Sequence, residues 1–303
     1  MIVKNFGQKL NIDIAVALGF FDSVHIGHRA VISKAINYAK ANNIKSAIIT
    51  YSKNPFGVLG KNQKLIFSFE ERLEKLKNLG VDIVIVQEFD QNFMQKDRLD
   101  FVHELTSHYN IKYAVCGQDY RFGKGGQGDV QFLNEYFQQN NVEFEVLDFI
   151  TENHSKVSST IIRKLIETGE IKQANNLLVE PFFISGKVTQ GKGKGKLLGF
   201  PTVNLNLPVD KVKIRQGVYI TKTIFEGSSY LSITNVGSKP TFLDNQENIE
   251  THILDYEGNL YNHNIKVEFY EYLRPTYTFE NQEQLIAQLK ADIQAAKDYF
   301  RRN

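Results

Sequence analysis

The chain has 303 residues, 42% hydrophobic and 23% charged, enough for two domains with separate cores, and its net charge of +2 gives no global field to hold nucleic acid or an anionic membrane. Cys116 is the single cysteine, which excludes an intramolecular disulfide and a cysteine-built zinc site and suits a reducing cytoplasm. The start, Met1-Ile2-Val3-Lys4-Asn5, has no secretion-signal pattern, and the apolar run 12–21 carries Asp13 and is too short to span a bilayer, so a cytoplasmic protein without membrane or nucleic-acid partners is expected.

Strands are predicted at 12–20, 46–51, 82–87, 112–116 and 142–147, most of them apolar at consecutive positions, as strands buried on both faces are. Between them, helical spacing of apolar residues predicts helices at 27–42, 69–79, 97–109 and 129–139, with a further helical stretch at 158–178. This alternation implies a parallel, doubly wound sheet covered on both faces. After Pro181 the runs become short and β-branched or aromatic, punctuated by Gly, Pro and Asn as far as Arg274. Glu226-Gly227 and Glu257-Gly258-Asn259 are expected to be hairpin turns in a mainly antiparallel sheet or small barrel. Residues 281–300 read as a final amphipathic helix. The expected fold class is therefore α/β, with one domain at 1–181 and an antiparallel β-barrel domain at 182–303. Oligomeric state is left open.

The first candidate site is Gly19-Phe20-Phe21-Asp22-Ser23-Val24-His25-Ile26-Gly27-His28, between the first predicted strand and the first predicted helix. Open α/β sheets bind ligands beyond the carboxyl ends of their strands, and a helix N-terminus offers unpaired N–H groups to a phosphate. Two histidines there, with Gly27 permitting close backbone approach, can donate to a triphosphate and to charge developing on phosphorus. Ser158-Ser159-Thr160-Ile161-Ile162-Arg163 adds hydroxyls and a guanidinium at another helix start, although alone it reads only as an N-cap. Residues 123–128 match G-x-G-x-x-G, but the polar and aromatic stretch 117–122 separates them from the preceding strand, so a dinucleotide fingerprint is rejected.

Taken in order, G-F-F-D-x-V-H-x-G-H, G-x-D-Y-R-F-G-K-x-x-x-G-D and V-S-S-T-x-I-R resemble the adenylyltransferase module of prokaryotic bifunctional riboflavin kinase/FAD synthetases, within the H-x-G-H nucleotidylyltransferases. The resemblance implies a Rossmann-like domain in which His25 and His28 bind and activate ATP phosphates, with Gly19, Phe20, Phe21, Asp22 and Gly27 around the nucleotide. It implies that Ser159, Thr160 and Arg163 complete the triphosphate site, and that Asp119 and Phe122 lie near the FMN and adenine pockets. Two positions depart from the family pattern: Ser23 replaces the usual glycine, and Lys53-Asn54-Pro55 stands where P-H-P is common.

The second candidate site begins at Gly191-Lys192-Gly193-Lys194-Gly195-Lys196, which is no Walker A loop because Leu197 follows the last lysine. A cationic glycine-rich loop can cover phosphates through its N–H groups, and it equally suits a solvated hairpin. It continues into Leu198-Gly199-Phe200-Pro201-Thr202-Val203-Asn204, where Thr202 and Asn204 share a face of an extended strand. Their oxygens suit Mg²⁺ held mainly by ATP, and the same residues also suit an edge-strand turn. Glu250 opens a strand where a carboxylate can take the proton of a hydroxyl attacking a γ-phosphate, or be solvated.

The set G-F-P-T-x-N, G-V-Y, N-x-G-x-x-P-T-F, E-x-H-I-L and L-R-P resembles the riboflavin kinase fold, a small antiparallel barrel closed by a helix. That resemblance implies Thr202 and Asn204 at Mg-ATP and Glu250 as catalytic base. It places Lys192, Lys194, Lys196, Gly199, Pro201, Asn235 and Arg274 in the nucleotide and flavin surround, with Lys196 standing where the family often has Arg. Together the resemblances imply an enzyme with Mg²⁺ and ATP that converts riboflavin to FMN and FMN to FAD. A monofunctional relative with one module as scaffold, and a non-catalytic flavin sensor, are the alternatives.

Overall fold

The computed structural model describes residues 1–152, 155–191, 195, 198–238 and 247–302. The chain divides into two compact units, Met1–Ser159 and Thr160–Asn303, whereas the change in sequence pattern comes at Pro181.

In the first unit, strands β1 (Ile2–Asn5), β2 (Leu10–Leu18), β3 (Lys45–Tyr51), β4 (Ile83–Gln87), β5 (Tyr109–Gly117) and β6 (Glu143–Leu147) form one sheet. Its order is β1-β4-β3-β2-β5-β6 and every pairing is parallel. Connections are made by α1 (Ile26–Ala41), α2 (Pro55–Val58), α3 (Phe69–Asn78), α4 (Gln91–Met94), α5 (Arg98–His108) and α6 (Val130–Gln139). Alternation along β2 splits the core: Ala15 and Ala17 pack with Val31, Ile32 and Ala35 of α1, whereas Ile14, Val16 and Leu18 pack with Phe101, Leu105 and Phe137. The winding direction reverses between β2 and β5, so the loops that leave these two strands meet at the switch point.

Strand β1 carried no sequence signal. It is a four-residue edge strand with Ile2 and Val3 largely exposed, paired with β4 from Ile2↔Ile83 to Asn5↔Val86. After β6, a small hairpin of β7 (Thr151–Glu152) and β8 (Ser155–Lys156) leads to α7 (Ser159–Thr168) and α8 (Ile171–Leu178). The helical stretch expected at 158–178 is thus broken, because Gly169 turns left-handed (φ +82°) and a Cβ there would sit 2.8 Å from the Arg215 side chain.

The second unit is built on β9 (Phe182–Lys187), β10 (Val203–Asn206), β11 (Gly217–Phe225), β12 (Ser228–Ser238), β13 (Glu247–Ile253) and β14 (Asn264–Arg274). They form an antiparallel sheet of order β10-β13-β12-β11-β14-β9. Its two edges meet where Thr189 N–H donates to the Asn204 carbonyl at 2.9 Å, which curls the sheet toward a barrel. Glu226 (φ 49°) and Gly227 (φ 77°) make the expected two-residue turn, with φ positive at both positions as a type I′ hairpin requires. The hairpin expected at 257–259 is corrected: β13 pairs with β12 and β10, and β14 with β11 and β9. Glycine and asparagine specify a reversal there, but they do not specify which strand the returning chain joins. Helix α9 (Gln282–Arg302) ends the fold, setting Ala296, Ile293 and Phe300 against Val218, Ile220 and Ile233. Among the described residues no helix is long and apolar enough to cross a membrane.

Candidate active sites

The turn after β2 is tightly coiled. Phe21 and Val24 adopt left-handed backbone conformations (φ 52° and 48°), and a Cβ on Gly19 would come within 2.7 Å of the Phe21 ring. Each such residue costs about 1–2 kcal/mol, offset by burial of both side chains, which contributes roughly as much. The turn ends at His25, which caps α1: its Nδ1 accepts the His28 N–H at 3.1 Å. The two imidazoles stack with centroids 3.7 Å apart and 14° between planes, and a Cβ on Gly27 would press on His25 Cε1 at 3.0 Å.

Because His25 Nδ1 accepts, its proton sits on Nε2, leaving that N–H as a donor. Burial pushes the His25 pKa down to about 4 and His28 well below 6.5, the latter with help from His25 and Arg72. Both rings are therefore neutral at pH 7. His28 Nδ1 is enclosed and has no hydrogen-bond partner among the described residues, an unmet polar atom beside the helix start.

The neighbouring residues divide into two groups. Ser23 is buried, is not in the left-handed region, and shares a 2.9 Å hydroxyl bond with Ser159, so serine is accommodated where the family has glycine. Asp119 pairs with Lys156 at 3.1 Å, and both charges act on His25. By contrast, Asp22 is buried and accepts the Ile66 N–H at 3.1 Å, Phe20 stacks edge-on to Phe56, and Phe122 lies in the core against Phe101 and Tyr120. Thr160 and the buried Arg163 follow Ser159 on α7, within the second unit. Asn54, in place of the family's histidine, caps α2 by accepting the Phe56 N–H, and Lys53 pairs with Glu88 on the surface.

The second site is built by sheet register. Asn204 on β10 and Asn235 on β12 lie directly opposite Glu250 on β13. Thr202, two residues before Asn204, donates its hydroxyl to Glu250 Oε1 at 2.7 Å. Asn204 is buried and its Oδ1 accepts from Asn248 Nδ2 at 3.0 Å. A Cβ on Gly191 would lie 2.2 Å from the Asn204 amide, so the glycine-rich loop starts where only glycine fits. Gly199 takes the left-handed turn that follows, and the Pro201 carbonyl accepts from His252 Nδ1–H at 2.8 Å.

Two cavities flank this group. One of about 530 Å³ is lined by Gly191, Pro201, Thr202 and Asn204 together with the segment 256–261. The other, about 360 Å³, is lined by Thr202, Asn235 and Glu250 and by the apolar side chains of Val218, Ile233 and Leu289. Thr202 borders both, Asn204 only the first and Glu250 only the second. Arg274 reaches the second cavity, but Asp292 of α9 occupies its guanidinium fork at 2.9 and 2.6 Å. Lys192, Lys194 and Lys196 lie outside the described residues, as do Lys239-Pro240-Thr241-Phe242. Among the described residues no group of three or more His, Cys, Asp or Glu is placed to hold a metal, and the neutral oxygens at this site suit a cation held mainly by phosphate. Thr202 Oγ1 and Asn204 Oδ1 fit that role, each keeping a free lone pair beside its hydrogen bond.

A family model for FAD synthetase matches residues 7–161, and one for riboflavin kinase matches residues 178–300. The bifunctional riboflavin kinase/FMN adenylyltransferase of Listeria monocytogenes is 35% identical over 294 residues, spanning 96% of this chain and 93% of that protein. The chain belongs to this bifunctional family. Its Bacillus subtilis member is 32% identical over 291 residues, spanning 94% of this chain and 92% of that protein. A crystal structure of a Streptococcus pneumoniae protein described as a macrolide-efflux protein covers 98% of this chain and 99% of that one, with a TM-score of 0.88 at 27% identity. That likeness is one of fold and carries over no transport role.

Several residues beside the two sites carry no signal in the sequence: Arg72 and Lys156 in the first unit, Asn248 and Asp292 in the second. Asp292→Ala should cost about 3–5 kcal/mol, because it leaves a largely buried guanidinium unpaired, and should raise the KM of whatever fills the smaller cavity. Chemical denaturation and steady-state kinetics check both effects. His25 binds its proton more weakly when folded than at its ordinary value of 6.5, so the stability it contributes is present above pH 6.5 and lost as pH falls toward 4. Between pH 7 and 4, His25→Asn should lose less stability than the parent by on the order of 2–3 kcal/mol, measured as the pH dependence of denaturant midpoints.

Proposed function

We propose that the second unit transfers the γ-phosphoryl group of ATP to riboflavin, giving FMN and ADP, and that the first unit transfers the adenylyl group of a second ATP to FMN, giving FAD and pyrophosphate. The observation that carries the reading is Thr202, a hydroxyl bordering both cavities and bonded to Glu250 on one side. The larger cavity, with Asn204, takes the nucleotide, and the smaller, apolar one takes the isoalloxazine ring. Glu250 Oε accepts the proton of the primary ribityl hydroxyl as that oxygen attacks the γ-phosphorus and the bond to ADP breaks. Thr202 and Asn204 would hold Mg²⁺ with the phosphates, where the ion neutralises charge.

In the first unit, an FMN phosphate oxygen attacks the α-phosphorus of ATP and the bond to pyrophosphate breaks. The His25 Nε2–H and the free N–H groups at the start of α1 donate to the phosphates, and Ser159 adds a hydroxyl held by Ser23. Neutral imidazoles suit this role, since an arriving phosphate raises their pKa and strengthens each bond as charge develops. Riboflavin, FMN and ATP are the partners. The cytoplasm is the compartment we assign, supported by the lone buried thiol of Cys116.

His28→Ala should abolish FAD formation and spare FMN formation, and Glu250→Ala should do the reverse, each by on the order of 10²-fold or more. Separate assays with riboflavin plus Mg-ATP and FMN plus Mg-ATP read both steps. Equal loss of both activities in either stably folded variant would refute two sites.

A further inference from the structure

Arg72, in the first turns of α3, is 1% exposed, and the chemistry assigned above leaves it without a role. A buried arginine is costly unless its donors are met, and here they are divided between the turn after β2 and the end of β3. Nη1 donates to the Phe20 carbonyl and to Thr50 Oγ1, both at 3.1 Å, and Nη2 donates to the Tyr51 carbonyl at 2.8 Å. Thr50 Oγ1 in turn donates to the same Phe20 carbonyl at 2.8 Å. The guanidinium lies 4.8 Å from the Phe20 ring centre and 5.5 Å from that of Phe69. A capping box between Ser68 and Glu71 anchors the first turn of α3 and so the origin of this side chain.

The contacts tie the start of the histidine turn, which leaves the carboxyl end of β2, to the carboxyl end of the neighbouring β3. They also bring a fixed positive charge into reach of His28, with the buried carboxylate of Asp22 as an opposing charge. Arg72 Nε and His28 Nδ1 are both enclosed without a hydrogen-bond partner among the described residues, a pairing of unmet atoms in one region of the fold.

We propose that Arg72 is a positioning residue for adenylyl transfer: through the Phe20 carbonyl and the end of β3 it braces the turn that carries His25 and His28, and it keeps a positive charge near His28. The proposal rests on the assignment of this site to FAD formation. Arg72 touches no reacting atom, so its effect should fall on kcat rather than on substrate binding.

The test compares kcat and KM for FMN plus Mg-ATP in the parent, Arg72→Lys and Arg72→Met, with riboflavin phosphorylation by the same chains as internal control. Arg72→Met keeps an unbranched apolar stem but loses charge and fork, and should lower kcat on the order of 10²-fold with both KM values nearly unchanged. Arg72→Lys keeps the charge and one donor direction, and should recover part of that loss, to within roughly tenfold of the parent. Riboflavin phosphorylation should be unchanged in both. A folded Arg72→Met chain with parental kcat overturns the proposal, as does a defect confined to KM. Should Arg72→Met not fold, Arg72→Lys decides: parental kcat there overturns it and a reduced kcat supports it. A parent chain that forms no FAD would instead refute the assignment of the site.

Discussion

The hydrogen bond from the His28 N–H to His25 Nδ1, 3.1 Å long, decides which nitrogen of His25 carries the proton and leaves Nε2–H as the donor. It also ends the strained turn after β2 and begins α1, so strand, turn and helix are all fixed through one contact. Two left-handed residues, Phe21 and Val24, tolerate their backbone only because both side chains are buried. The sheet supplies the rest. Its winding reverses between β2 and β5, which brings Asp119 and Lys156 within electrostatic range of the same imidazole.

The second site answers a similar chemical need by other means. A sheet register sets Glu250 opposite Asn204 and Asn235, and Thr202, whose hydroxyl is bonded to Glu250, borders both cavities. The first site sets two neutral imidazoles beside the Asp119–Lys156 ion pair, and in the second the Glu250 carboxylate accepts from the Thr202 hydroxyl. One chain thus holds two phosphate chemistries whose residues do not overlap.

Much of this was legible from residue order. The histidine turn, the Thr202–Asn204 spacing and Glu250 are local motifs, and the five strands β2 to β6 of the first unit announce themselves as apolar runs. What was not legible depends on partners distant in sequence. Arg72 lies within a predicted helix, and its partners Phe20, Thr50 and Tyr51 come from elements distant in sequence. Arg274 is expected in the nucleotide and flavin surround, and it borders the smaller cavity, but its pairing with Asp292 on the last helix is invisible in the sequence. Gly258 and Asn259 mark a real reversal, yet the choice of β11 and β9 as partners of β14 belongs to the whole sheet. Strand β1 is short and exposed, so it offered no hydrophobic pattern to read.

The most direct measurement of two independent sites in one chain is complementation between singly inactivated proteins. His28→Ala and Glu250→Ala chains are mixed in equal amounts with riboflavin and Mg-ATP, and FAD is followed by chromatography. The account predicts that neither protein alone makes FAD from riboflavin, and that the mixture does, with FMN accumulating first in solution. A mixture that forms no FAD, or a single variant that forms it unaided at the parental rate, would contradict it.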